Sequence, residues 1–193
     1  MKQTLRGGRW WVCAQLLTTA WVILFAALTA RGQDPAHPLK PADRSSPRAT
    51  LMTFLESTDA AAAYMGRDFL PSPSRAKNNH LMSLCEPAVQ CLDLSEVAPA
   101  VRFKTGLSAL TRLYETLSRI ELPPLNEIPD ADQMARLTGA NSARWVIPNT
   151  QIALVRAESG PNKGEFLFSP ETVAKADDFY QRVRGLAYTR APA

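Results

Sequence analysis

The sequence predicts an α+β fold, with helices packed on one face of a small antiparallel three-stranded sheet, preceded by a signal segment and a Pro-rich tether. Three observations carry that prediction. Apolar residues recur at spacings of three and four from Leu51 to Met65 and again from Leu107 to Leu117, the period of a helix with one buried face. Beyond Ser142 the period falls to two, as in a strand that buries alternate side chains. Last, Glu165-Phe166-Leu167-Phe168-Ser169-Pro170-Glu171 runs from an apolar strand straight into a helix start, with Ser169 as N-cap and Pro170 as first helical residue.

Residues 1 to 9 carry Lys2, Arg6 and Arg9 without an acid, and an apolar run follows from Trp10 to Leu28. These are the n-region and h-region of a secretory signal, and Ala30-Arg31-Gly32 offers small residues for cleavage after Gly32. An uncleaved anchor is the alternative, because Trp10 to Ala30 is just long enough to cross a bilayer core of about 30 Å. Pro35, Pro38 and Pro41 then repeat every third residue, the period of polyproline II, and mark a solvated tether. The organisation read from sequence is therefore signal segment 1–32, tether 33–45, a single α+β domain 46–188 and a tail 189–193.

The charge balance changes with the signal. The chain carries 22 Lys+Arg and 18 Asp+Glu, a net +4. Residues 1–32 hold four of the basic residues (Lys2, Arg6, Arg9 and Arg31) and no acid, so the rest has 22 less 4, or 18, against 18. Phosphate binding needs a basic field, and that balance speaks against a nucleic-acid partner.

Within the domain, Ser46 and Pro47 start a helix that runs to about Met65. Gly66 to Ser74 reads as a loop, and Arg75 to Leu84 as a second helix that Pro87 stops. Leu92, Leu94 and Val97 call for burial. The third helix is expected from Pro99 to Ile120, with Leu107, Leu110, Tyr114 and Leu117 as its stripe and Gly106 as a weak point costing about 1 kcal/mol against Ala. Pro123, Pro124 and Pro129 end helical structure, Leu125 to Ile128 reads as an irregular segment with Leu125 and Ile128 as two apolar anchors, and Asp130 to Ser142 as a polar, Gly-containing stretch. Trp145 and Ile147, then Ile152 and Leu154, flank Pro148-Asn149-Thr150 as a β-hairpin. The last helix runs from Pro170 towards Gly185, its packing face made by Val173, Ala176, Phe179, Tyr180 and Val183.

The chemistry-bearing residues are few. Of the two histidines, His37 lies in the tether and His80 among Asn78 and Asn79, which gives neither a triad nor a zinc site its partners. Asp130-Ala131-Asp132 begins like a calcium loop, but Ala135 and Asn141 stand where that loop needs Gly and Glu. Asp177 and Asp178 are adjacent on a helix, about 100° apart, beside Lys175, Arg182 and Arg184, as on a solvated face. The sequence predicts no cofactor, no metal and no enzymatic activity. Cys13 falls in the signal segment, leaving Cys85 and Cys91, which are expected to form a disulfide because a break at Pro87 lets the chain reverse between them. Two buried thiols are the alternative.

Ser46 to Leu55, Cys91 to Ser95, Arg119-Ile120-Glu121-Leu122-Pro123-Pro124 and Phe166 to Val173 form an ordered set over most of residues 45 to 188. Together they resemble the soluble extracytoplasmic region upstream of the membrane helices in some bacterial proteins of the small-conductance mechanosensitive channel family. The family's pore lies in transmembrane helices, and past Leu28 this chain has no apolar run approaching about 20 residues. The resemblance implies an extracytoplasmic or periplasmic accessory domain that contacts a membrane channel, an envelope protein or a second copy of itself, touching membrane only through an uncleaved N-terminal segment. A periplasmic small-ligand-binding protein is the other hypothesis, with a pocket between sheet and helices lined by Trp145, Phe166 and Phe168.

Overall fold

A computed structural model describes residues 41–137, 139 and 143–190. The signal segment, most of the tether, the last three residues of the tail and part of the stretch from Asp130 to Ser142 lie outside the described residues. The fold is α+β, as the sequence predicts. Its helices are α1 (Pro47–Tyr64), α2 (Arg75–Gln90), α3 (Arg102–Leu117), α4 (Ala131–Arg136), α5 (Pro170–Ala174) and α6 (Ala176–Val183). Strands β1 (Arg144–Val146), β2 (Ala153–Arg156) and β3 (Phe166–Phe168) make one antiparallel sheet in the order β1-β2-β3, with Trp145 opposite Leu154 and Leu154 opposite Phe168.

Helix α1 begins where its caps dictate. The Ser46 hydroxyl accepts from the Ala49 amide at 3.1 Å, and Pro47 fills a position whose amide would be unpaired. Leu51 and Phe54 are fully buried, and the Phe54 ring meets Phe168 edge to face at 5.0 Å between centroids. Instead of the expected loop, α1 widens into a π-helical turn, Met65–Phe69, whose Leu70 amide bonds the Met65 carbonyl at 2.9 Å. Met65, Gly66 and Arg67 are exposed, so the wider turn meets little packing at its start, while Phe69 at its end packs against the core.

Pro87 does not stop α2, which continues to Gln90. The proline removes the donor to the Ser83 carbonyl, and Ser83 lies on the exposed face of the helix, where a carbonyl need not be paired within the protein. Gly106 is also more than a weak point. It is buried in α3, and a Cβ there would meet Leu94 Cδ1 at 3.1 Å and Val89 Cγ1 at 3.2 Å, so the absent side chain lets α3 approach the end of α2. Of the two anchors around the three-residue 3₁₀ turn Leu125–Glu127, Ile128 is fully buried while Leu125 is 48% exposed. The stretch after it contains α4, held by a reciprocal capping box between Asp130 and Gln133 and anchored by buried Met134.

Strand β3 is buried on both faces. On the edge away from β2 it is completed by segments that are not strands. The Phe166 amide donates to the Arg44 carbonyl at 2.8 Å, the Phe168 amide to the Cys91 carbonyl at 2.8 Å, and the Asp93 amide to the Phe168 carbonyl at 2.9 Å. The Thr50 hydroxyl lies 2.8 Å from the Phe166 carbonyl. Arg44 also pairs with Glu165 at 2.9 Å, so the folded body takes in residues placed in the tether.

At the other end the tail boundary shifts too, because the chain after α6 forms a strap over α3. The Thr189 amide donates to the Ser118 carbonyl at 2.9 Å and its hydroxyl to the Ile120 carbonyl at 2.9 Å. The Arg119 guanidinium sits 3.9 Å from the centre of the Tyr188 ring, the Tyr188 hydroxyl donates to Glu115 at 3.0 Å, and Arg190 pairs with Asp59 on α1.

Candidate functional site

Of the residues nominated from sequence for a pocket, two belong to the core and the third packs against it. Phe166 and Phe168 are fully buried, the first beneath the Arg156 guanidinium at 5.0 Å and the second against Phe54. Trp145 packs half-buried against the same core from β1. Leu167, between the two phenylalanines, is buried as well, so this strand is core on both sides.

The disulfide expected between Cys85 and Cys91 is likewise corrected: both are free, buried thiols. With α2 unbroken through Pro87, six residues place them about 9 Å apart along the axis and on different faces. The Cys91 thiol donates to the Pro87 carbonyl at 3.3 Å, and burial pushes its pKa up to about 12. Burial raises Cys85 too. Neither is poised as a nucleophile, which needs an accessible thiolate.

His80 is exposed and meets the Tyr64 ring edge to face at 4.6 Å. Asp177 pairs across to Arg112 of α3 at 2.9 Å, and Arg112 also lies 4.5 Å from the centre of the Tyr180 ring, so these side chains clamp α6 to α3. Among the described residues no group of three or more His, Cys, Asp or Glu is placed to hold a metal ion, and no helix is long and apolar enough to cross a membrane.

Two surface features remain. The first is the turn leading into α3, where Ala98, Pro99, Ala100, Val101 and Phe103 are all exposed, Val101 by 49% and Phe103 by 65%. Arg102 folds back from this turn, its Nη2 donating to the Val97 carbonyl at 3.1 Å. The second is a cleft of about 340 Å³ between the end of α3, α6 and the β1–β2 hairpin. Its floor is Ile152 and Phe179, its walls Ile120 and Val183, and its rim Asn149, Gln151 and Arg182. The hairpin holds its shape through a left-handed Asn149 (φ 60°) and the Thr150 hydroxyl, which donates to the Ile147 carbonyl at 2.8 Å and accepts from the Ile152 amide at 3.0 Å.

Sequence reasoning named Phe179, Val183, Ile152 and Arg182 individually but missed the cleft, because periodicity tells which side chains face inward and not where two packed elements diverge. No family model, no curated protein and no solved structure matches this chain.

Proposed function

We propose that this chain is a non-enzymatic extracytoplasmic accessory domain, of the kind found upstream of mechanosensitive-type channel pores, acting by contact with a membrane channel or another envelope protein. One observation carries the reading: five apolar residues exposed within the six positions from Ala98 to Phe103. Single exposed apolar side chains are ordinary on soluble proteins, whereas a contiguous exposed group is characteristic of contact sites. The turn is also preorganised. Gly106, one turn into α3, lets the helix seat closely against Val89 and Leu94, which fixes the base from which Val101 and Phe103 project. An aromatic anchor on a rigid base is what the centre of a protein interface requires.

The reading is tested with a photo-crosslinking residue in place of Phe103, in cells producing the full chain. The expected adduct is a multi-span channel subunit of the membrane fraction, and Val101→Ser with Phe103→Ser together should abolish it and lower survival of hypo-osmotic shock without changing the melting temperature. Adducts with soluble proteins alone, or none, would sink the proposal.

A further inference from the structure

We infer that the cleft between α3, α6 and the β1–β2 hairpin is a binding site for a small amphipathic monocarboxylate, with Arg182 holding the carboxylate and Ile120, Ile152, Phe179 and Val183 holding its apolar body. This is independent of the contact reading above, which uses a different face of α3.

Size comes first. At about 340 Å³ the cleft stands at the lower end of the range of about 300–1,000 Å³ in which small-molecule sites fall, so it suits a compact ligand and not a folded partner. Chemistry comes second. The lining combines an apolar floor with a few polar groups at one edge, the division of labour in which apolar area supplies affinity and polar groups fix orientation. Thr116 and Thr150 have their hydroxyls engaged with the Arg112 and Ile147 carbonyls, leaving the amides of Asn149 and Gln151 and the Arg182 guanidinium to meet a ligand.

Charge decides the class. Among the described residues Arg182 is the only ionisable one of the lining, and it makes no ion pair or hydrogen bond with any of them. Of the acids on the same helix, Asp177 is taken by Arg112, and Asp178, one turn before Arg182, makes no ion pair with it and does not line the cleft. A planar guanidinium with two adjacent N–H groups free matches a carboxylate bidentately. The carbonyl ends of α3 and α6 oppose an anion with partial charges of about half a unit each. Both ends are already engaged by backbone donors, Ser118 by Thr189 and Arg190, Tyr180 by Arg184 and Val183 by Leu186, which weakens that opposition.

The test titrates octanoate, octanol and octylamine into the full chain labelled at isoleucine and valine methyls. Octanoate should bind at least about tenfold more tightly than octanol, about 1.4 kcal/mol, and octylamine most weakly, with shifts centred on Ile120, Ile152 and Val183. Arg182→Gln, at an exposed side chain that contributes nothing to the core, should erase the advantage of octanoate over octanol while leaving octanol binding and the melting temperature unchanged, and Arg184→Gln should do neither. The inference is overturned if octanoate fails to bind, if it binds no better than octanol, if Arg182→Gln leaves its advantage intact, or if the shifts centre on the Ala98 to Phe103 turn.

Discussion

Strand β3 and the strap from Leu186 to Arg190 both close the domain, and they do it with opposite physics. The strand is fully desolvated: Phe166, Leu167 and Phe168 are at most 1% exposed, and their backbone groups meet partners from four parts of the chain. The strap is wet, with Leu186 56% and Tyr188 44% exposed, and it is held by stacked guanidinium groups, carboxylates and a few carbonyls at the end of α3. Burial of apolar area is insensitive to salt and sensitive to volume, whereas exposed ion pairs are the reverse. The domain is therefore expected to be fixed at its centre by shape and trimmed at its margin by charge.

The sharpest way to break that comparison is Phe168→Ala. Removing the ring that meets Phe54 leaves a cavity in the most buried part of the sheet and should cost about 3–5 kcal/mol, measured by chemical denaturation. A loss comparable to that of a strap variant would mean that β3 is not the centre.

A second experiment uses pH on the thiol beneath β3. The unfolded Cys91 thiol ionises near 9.0 and the folded one at about 12, so the folded value is raised. Stability from this group is full below pH 9 and drains as pH climbs towards the folded value, by about 2 kcal/mol near pH 10.5. The stability of Cys91→Ala should fall less steeply than wild type over that window; parallel curves would mean that the thiol is not desolvated when folded.

The smallest effect belongs to the strap. Arg190→Gln removes the pair with Asp59, whose side chains are each 30% exposed, and should cost about 1 kcal/mol, a loss that shrinks in about 1 M salt. A salt-independent loss of several kcal/mol would erase the distinction between margin and centre.

Much of the centre was legible in the sequence. Ser46-Pro47 and Ser169-Pro170 announce their helices because capping is local chemistry, and Phe166 to Phe168 reads as a strand because nothing but burial suits it. The failures are places where distant packing overrules local preference. Pro87 stays in a helix because the carbonyl it orphans belongs to Ser83, an exposed residue, and Gly106 is valuable because of Val89 and Leu94, which its own neighbourhood does not reveal. Helix α4 was visible as the Asp130–Gln133 capping box, but its six residues are too few to set up a periodicity. The strap was invisible: an exposed Tyr188 and a single arginine, Arg190, look like any solvated end until Arg119 and α3 are seen beneath them.

The non-strand edge of β3 also sets an order of events. The Thr50 hydroxyl and the Phe166 carbonyl are 116 residues apart in sequence, and the Arg44 and Cys91 carbonyls must likewise wait for amides that come off the ribosome long after them. Contacts of such separation are entropically expensive to close and slow the final step of folding. During synthesis, α1 and α2 are therefore expected to meet first as a helical hairpin, its apolar floor uncovered until residues 166 to 168 arrive, and that interval is where a holding partner would serve the nascent chain most.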